Sequence, residues 1–130
     1  LNLSRAEQHF VSRFIIKNKQ ERYLHLLNDN RTRIKFIEKL YHFNDFNWNL
    51  LREIPGSENE EEAIRLKLKS YKTISNCRVI SSDPKFDGKS MSIEEAINNV
   101  VGIEASILIF GDGDVIYYEG EAPNRRFISI

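Results

Sequence analysis

With 130 residues, 41% of them hydrophobic and 29% charged, the chain suits one globular domain with a single core and gives no compositional case for disorder. Its one cysteine, Cys77, excludes an internal disulfide and fits a reducing compartment, and no apolar run approaches the roughly 20 residues of a membrane span. Equal numbers of basic and acidic residues, 19 of each, hide a split: residues 1–52 hold ten Lys and Arg against five acids, and the remainder holds nine against fourteen.

The first element expected is a helix opened by the capping-box pattern Ser4-Arg5-Ala6-Glu7, with Phe10, Val11, Phe14 and Ile15 at helical spacing. Lys17-Asn18-Lys19-Gln20 carries no apolar residue, and Tyr23, Leu24 and Leu27 continue in a different phase, which predicts a bend or a new helix near Asn18. Asn28-Asp29-Asn30 reads as a turn and cap before a helix over 31–43, whose wide apolar face (Ile34, Phe36, Ile37, Leu40, Tyr41, Phe43) implies deep burial. Residues 44–54 read as a short helix or a loop pinned by Phe46 and Trp48, closed by Pro55-Gly56.

A second capping box at Ser57-Glu58-Asn59-Glu60 predicts a helix to about Tyr71, with Ile64, Leu68 and Tyr71 inward. Residues 77–81 read as a strand and 82–91 as a loop. Ser92-Ile93-Glu94-Glu95 is a third capping box, opening a helix that Gly102 stops. Residues 104–119 then form a β-hairpin about Gly111-Asp112-Gly113-Asp114, since Asp-Gly tolerates the positive φ angles of a tight primed turn. In its first strand Ala105, Ile107 and Ile109 point to one face while Ser106, Leu108 and Phe110 point to the other. Both rows are largely apolar, so both faces need cover. After a turn at Ala122-Pro123-Asn124, residues 125–130 read as a third meander strand.

The fold class expected is α+β, with N-terminal helices plus a C-terminal antiparallel β-meander and one helix inserted after the first strand. The whole chain forms one domain, mainly helical over 1–72 and strand-helix-meander over 73–130. The N-terminal helices are expected on one sheet face and the late helix on the other.

Candidate sites are few. Asp83, Asp87-Gly88 and Glu94 match the first, fifth, sixth and twelfth positions of a calcium loop, but Lys85 stands where a liganding oxygen is required and the preceding segment reads as a strand. Loop chemistry and a helix cap explain the same residues, so neither a metal nor a cofactor is expected. Asp112 and Asp114 are separated by roughly 17 Å of strand from Glu119 and Glu121, too far for one paired-carboxylate site; each pair reads as turn chemistry or a solvated strand end. Cys77, at the head of an apolar strand, reads as a buried inert thiol.

The basic residues Lys17, Lys19, Arg22, Arg31, Arg33, Lys35 and Lys39, with Tyr23 and Trp48 near them in sequence, could present a cationic helical surface to nucleic acid. A sequence pI near 7.0 and the solvated faces of amphipathic helices argue against it. A pocket between helices and sheet, lined by Tyr117, Tyr118, Arg126 and His42, is the small-molecule or hydrolytic alternative, with at most one of the adjacent tyrosines facing it.

Over Glu21-Arg22-Tyr23-Leu24-His25-Leu26-Leu27, Cys77-Arg78-Val79-Ile80-Ser81, Asp87-Gly88, Glu95-Ala96 and Tyr118-Glu119-Gly120-Glu121, the chain resembles a group of short uncharacterised bacterial proteins. The likeness spans most of the chain; it implies a bacterial cytoplasmic domain and carries over no catalytic residue. The favoured reading is a non-enzymatic interaction or regulatory domain, a homo-oligomer or a partner of another protein, away from membranes, because the charge split invites attraction within or between molecules.

Overall fold

The computed structural model describes residues 4–121 and 125–130; the turn expected at Ala122-Pro123-Asn124 lies outside them. The fold is α+β, with N-terminal helices, a C-terminal antiparallel sheet and a helix inserted after the first strand. Helix α1 (Arg5–Phe14) starts at Ser4, whose hydroxyl accepts the Glu7 N–H at 3.1 Å, and buries Phe10, Val11 and Phe14. The chain breaks where the apolar phase slips: Ile15 is extended and bridges Phe46, and a 3-10 turn at Lys17–Lys19 leads into α2 (Gln20–Asn28). Asp29 caps α3 (Asn30–Ile37) by accepting the Arg31 N–H at 2.8 Å.

Helix α3 is shorter than the expected 31–43, because a separate 3-10 turn takes Leu40–His42. The wide apolar face is only partly used. Phe36, Ile37, Leu40 and Phe43 are buried, whereas Ile34 and Tyr41 are exposed.

Among the described residues six strands make one antiparallel sheet in the order β1-β6-β5-β4-β2-β3: β1 (Leu51–Glu53), β2 (Asn76–Ser81), β3 (Ser90–Ser92), β4 (Ser106–Phe110), β5 (Val115–Glu119) and β6 (Arg126–Ser129). Between β1 and β2 lies α4 (Glu60–Leu68), and α5 (Ile93–Asn99) follows β3. The α4 cap is Asn59, which accepts the Glu62 N–H at 3.1 Å, in place of the expected Ser57. Glu60, Glu61 and Glu62 occupy its first turn, where the helix dipole favours negative charge. Among the described residues, Ser92 with Glu95 at the start of α5 is the pair that closes a full reciprocal capping box.

Strand β4 sits between β5 and β2 and is buried along its whole length. Ala105, Ile107 and Ile109 join Ile80, Ile116 and Tyr118 in a core with α1, α2 and α3. Leu108 and Phe110 join Cys77, Val79, Val115, Tyr117 and Ile128 in a second core under α4 and α5. Burying each such aliphatic or aromatic side chain contributes roughly 1.5–3 kcal/mol, so uncovering either face would remove stabilisation comparable with a domain's entire margin. That alternation is what makes the molecule three layers deep.

The hairpin tip is the expected four-residue link Gly111-Asp112-Gly113-Asp114. Phe110 pairs with Val115, leaving four residues in the loop, and the positive φ angles fall on Gly111 (64°) and Gly113 (94°) with Asp112 spared. A Cβ on Gly113 would stand 2.8 Å from the His9 Cβ and 3.2 Å from the Phe10 nitrogen, so the tip seats directly on α1. His9 Nδ1 reaches the Asp112 carbonyl at 2.8 Å.

Candidate functional site

The alternation of β5 sends Val115, Tyr117 and Glu119 to the side of α4 and α5. The first two belong in a core, but the third puts a carboxyl in the same buried row. Glu119 is only 7% exposed. Its oxygens are held by two neighbours: the Gly102 N–H donates to both at 2.8 Å, and the Tyr117 hydroxyl donates to Oε1 at 2.8 Å. Gly102 can do so because its positive φ (84°) turns the chain out of α5, leaving its N–H outside the helical ladder.

Arg126 faces Glu119 across the β5–β6 register, yet its guanidinium is committed elsewhere. It donates to the Glu60 carboxylate, to the carbonyl of Glu58 at 3.1 Å, and to the carbonyls of Ile54 at 3.3 Å and Pro55 at 2.6 Å, fastening the segment between β1 and α4. Among the described residues no ion pair reaches Glu119. Burial pushes its carboxyl up to about 7; the Gly102 N–H and the Tyr117 hydroxyl pull the other way, Glu60 adds to the rise and Arg126 offsets part of it. The Tyr117 hydroxyl is itself pushed up by burial and by the Glu119 carboxylate.

These groups floor a cavity of about 370 Å³ at the end of the sheet, at the small end of the range for ligand pockets. The start of α4 contributes Glu60, the segment after α5 contributes Ile103 and Glu104, and Tyr41 and Arg125 close the far side. The Glu104 carboxylate accepts the Tyr41 hydroxyl and lies 3.5 Å from the Ser82 hydroxyl. Arg125 donates to the Phe43 carbonyl and sits among the rings of Trp48, Tyr118 and Phe127, 5.8 to 5.9 Å from their centroids. An acid titrating near neutrality in such a cavity can hold, give or take a proton at physiological pH.

Of the four residues proposed for a pocket, Tyr117 and Arg126 line this cavity. Tyr118 does not: it points to the other sheet face, where its hydroxyl donates to the Leu40 carbonyl. His42 is exposed and lies 3.4 Å from Glu121. Glu119 is not the solvated strand end expected of it, although Glu121 is exposed. The available signal was its place in the Val115-Tyr117-Glu119 row, two residues beyond a buried tyrosine.

The basic set is dispersed. Lys17, Arg22, Lys35 and Lys39 are exposed and Lys19 is half-buried, while Arg31 pairs with Asp29 at 2.9 Å. Arg33 is no surface cation: it is buried, grips the Glu7 carboxylate at 2.8 and 3.1 Å, and grips Asp87 at 2.8 and 3.1 Å. Tyr23 is buried against Phe36 and Phe43 and its ring is closed to stacking, whereas Trp48 is partly exposed. Trp48 packs edge-on against Phe46.

The calcium-spaced acids also diverge. Asp83 accepts the Lys85 N–H at 2.9 Å, Asp87 holds Arg33, and Glu94 holds Arg65 at 2.7 Å. Among the described residues no group of three His, Cys, Asp or Glu is placed to hold a metal ion, and no helix is long and apolar enough to cross a membrane. The Cys77 thiol is buried and pushed above its ordinary range by that burial. No protein-family model, curated protein or solved structure matches the chain.

Proposed function

We propose that this chain is a small-molecule-binding domain whose site is the cavity over Glu119, between the start of α4 and the segment that follows α5. The observation that carries the reading is a carboxyl 7% exposed, hydrogen-bonded but touching no cation among the described residues, at the floor of a cavity of about 370 Å³. A buried ionisable group with no opposite charge is costly, and that cost is offset where a ligand completes the site. Tyr117 and Gly102 fix the carboxyl, and Arg126 fixes the wall that α4 begins.

The interaction reading has less to draw on once the charge split is traced in three dimensions. Arg33 with Asp87, Arg78 with Glu7, Arg5 with Asp112 and Arg52 with Glu58 join the basic and acidic halves inside one molecule. A nitrogen-15 NMR screen of small polar fragments tests the pocket reading. Shifts at the amides of 102–105 and 119–120 are expected, whereas fragments that shift only other surfaces would remove it.

A further inference from the structure

We infer that the ligand is a small organic cation, an ammonium on a compact apolar body, whose charge stands beside Glu119 as Arg33 and Arg78 stand beside Glu7. The inference rests on the pocket reading above and names the ligand class that this pocket takes.

The molecule contains its own reference for what a buried carboxylate requires. Glu7 is 0% exposed and is met by three guanidinium contacts, two from Arg33 at 2.8 and 3.1 Å and one from Arg78 at 2.9 Å. Glu119 is almost as deeply placed and has two neutral donors. A carboxylate offers about four acceptor positions. Oε1 takes Gly102 and Tyr117 while Oε2 takes Gly102 alone, leaving Oε2 with capacity for another donor.

The remaining groups around the cavity favour a cation over an anion. From α4 comes Glu60, held by Arg126 of β6; from the segment before β4 comes Glu104, held by the hydroxyl of Tyr41. Among the described residues Glu104 and Glu119 are therefore the two lining carboxylates that no cation contacts. The two lining arginines are already engaged, Arg126 with Glu60 and three carbonyls, Arg125 with the Phe43 carbonyl and an aromatic surround. The Nε atoms of both are without partners and buried, so an anion in the cavity would not reach those two donors. Tyr41, Ile103 and Tyr117 supply apolar and aromatic surface for the body of the ligand, and aromatic faces attract a cation in their own right.

Three probes of matched size separate the outcomes: benzylamine, benzyl alcohol and benzoate, each titrated into the protein at pH 8 while the amides of Gly102 and Gly120 are followed. Benzylamine is expected to shift both amides and to bind at least tenfold more tightly than the other two. Its affinity should fall about tenfold for each pH unit below the Glu119 midpoint, as the proton and the ammonium compete for one carboxylate, and Glu119→Gln should lose at least tenfold and all of the pH dependence. Benzyl alcohol or benzoate binding as tightly as benzylamine would overturn the cation while leaving the pocket in place. Pocket amides that respond to none of the three at millimolar concentration would overturn both.

Discussion

Two glutamates are buried in this molecule, and their surroundings are opposite. Glu7, on α1, lies in a ladder of alternating charge in which Arg33 bridges it to Asp87 and Arg78 braces its second oxygen. Glu119, at the end of β5, is held by a backbone N–H and a phenol and, among the described residues, by no cation. The first arrangement joins α1, α3, β2 and the loop after β2, so every member fixes a different element. The second joins only the end of α5 to the strand beneath it and opens onto a cavity. A carboxylate surrounded by guanidiniums is part of the scaffold; one left without them is available to something else.

The largest expected effect comes from breaking the paired site. Glu7→Ala leaves the buried Arg33 with Asp87 as its one carboxylate and the half-buried Arg78 without a partner acid, which should cost about 3–5 kcal/mol. Urea unfolding would show this as a lower midpoint. A loss below 1 kcal/mol would mean that water replaces the carboxylate at both guanidiniums and that the ladder is not what fixes these elements.

Glu119 gives the next largest effect, and it appears as pH dependence. Its carboxyl is raised from 4.5 to about 7 in the folded chain, so between those values the folded state keeps a proton that the unfolded chain has released. The contribution is fully present below the unfolded value and is lost as pH rises through 7, by about 3 kcal/mol in all. Urea titrations from pH 4.5 to 8.5, taken as the difference between the native chain and Glu119→Gln, isolate this slope. The glutamine variant should be the more stable of the two above pH 7. Equal stabilities across the range would show that the carboxylate is already compensated, and the contrast with Glu7 would disappear.

The same contrast explains what could be read from the sequence. The doubly apolar β4 was legible because its pattern is local: every second residue from Ala105 to Phe110 reports a face, and both faces are covered. Strands β1 and β3 were not, since Leu51–Glu53 and Ser90–Ser92 are three residues each and exist by pairing with β6 and β2. The Ser4 pattern placed α1 correctly while Glu7, its expected capping partner, is drawn into the core by Arg33 and Arg78. Those arginines stand 26 and 71 residues away, beyond the reach of any local spacing. In sequence Glu119 reads as a solvated strand end for a related reason. Its burial is made by α4 and α5, and nothing in Tyr118-Glu119-Gly120-Glu121 announces a helix overhead.

Gly120 tests whether the two regions are mechanically separate where they meet at the strand end. A Cβ there would stand 2.8 Å from the Tyr41 carbonyl and closer still to the Tyr118 hydroxyl, both on the side of the N-terminal helices. Gly120→Ala should therefore cost about 1–3 kcal/mol through overpacking. The strain falls on the bond from Tyr118 to the Leu40 carbonyl, and the Glu119 titration should keep its midpoint. Carbon-13 NMR of the Glu119 carboxyl reads that midpoint directly; a displaced value in this variant would show that the faces communicate through the end of β5.

The smallest effect is the most specific. Tyr117→Phe removes one donor to Oε1 of Glu119 and leaves the ring in the core, a change worth about 1 kcal/mol. Because the hydroxyl favours the charged carboxyl, its loss should raise the Glu119 midpoint and weaken the fold more at pH 8 than at pH 5. A midpoint that moved down would mean that the tyrosine holds the protonated acid in place. Glu119 would then be a donor built into the wall, and the charge that the cavity needs from a ligand would vanish with it.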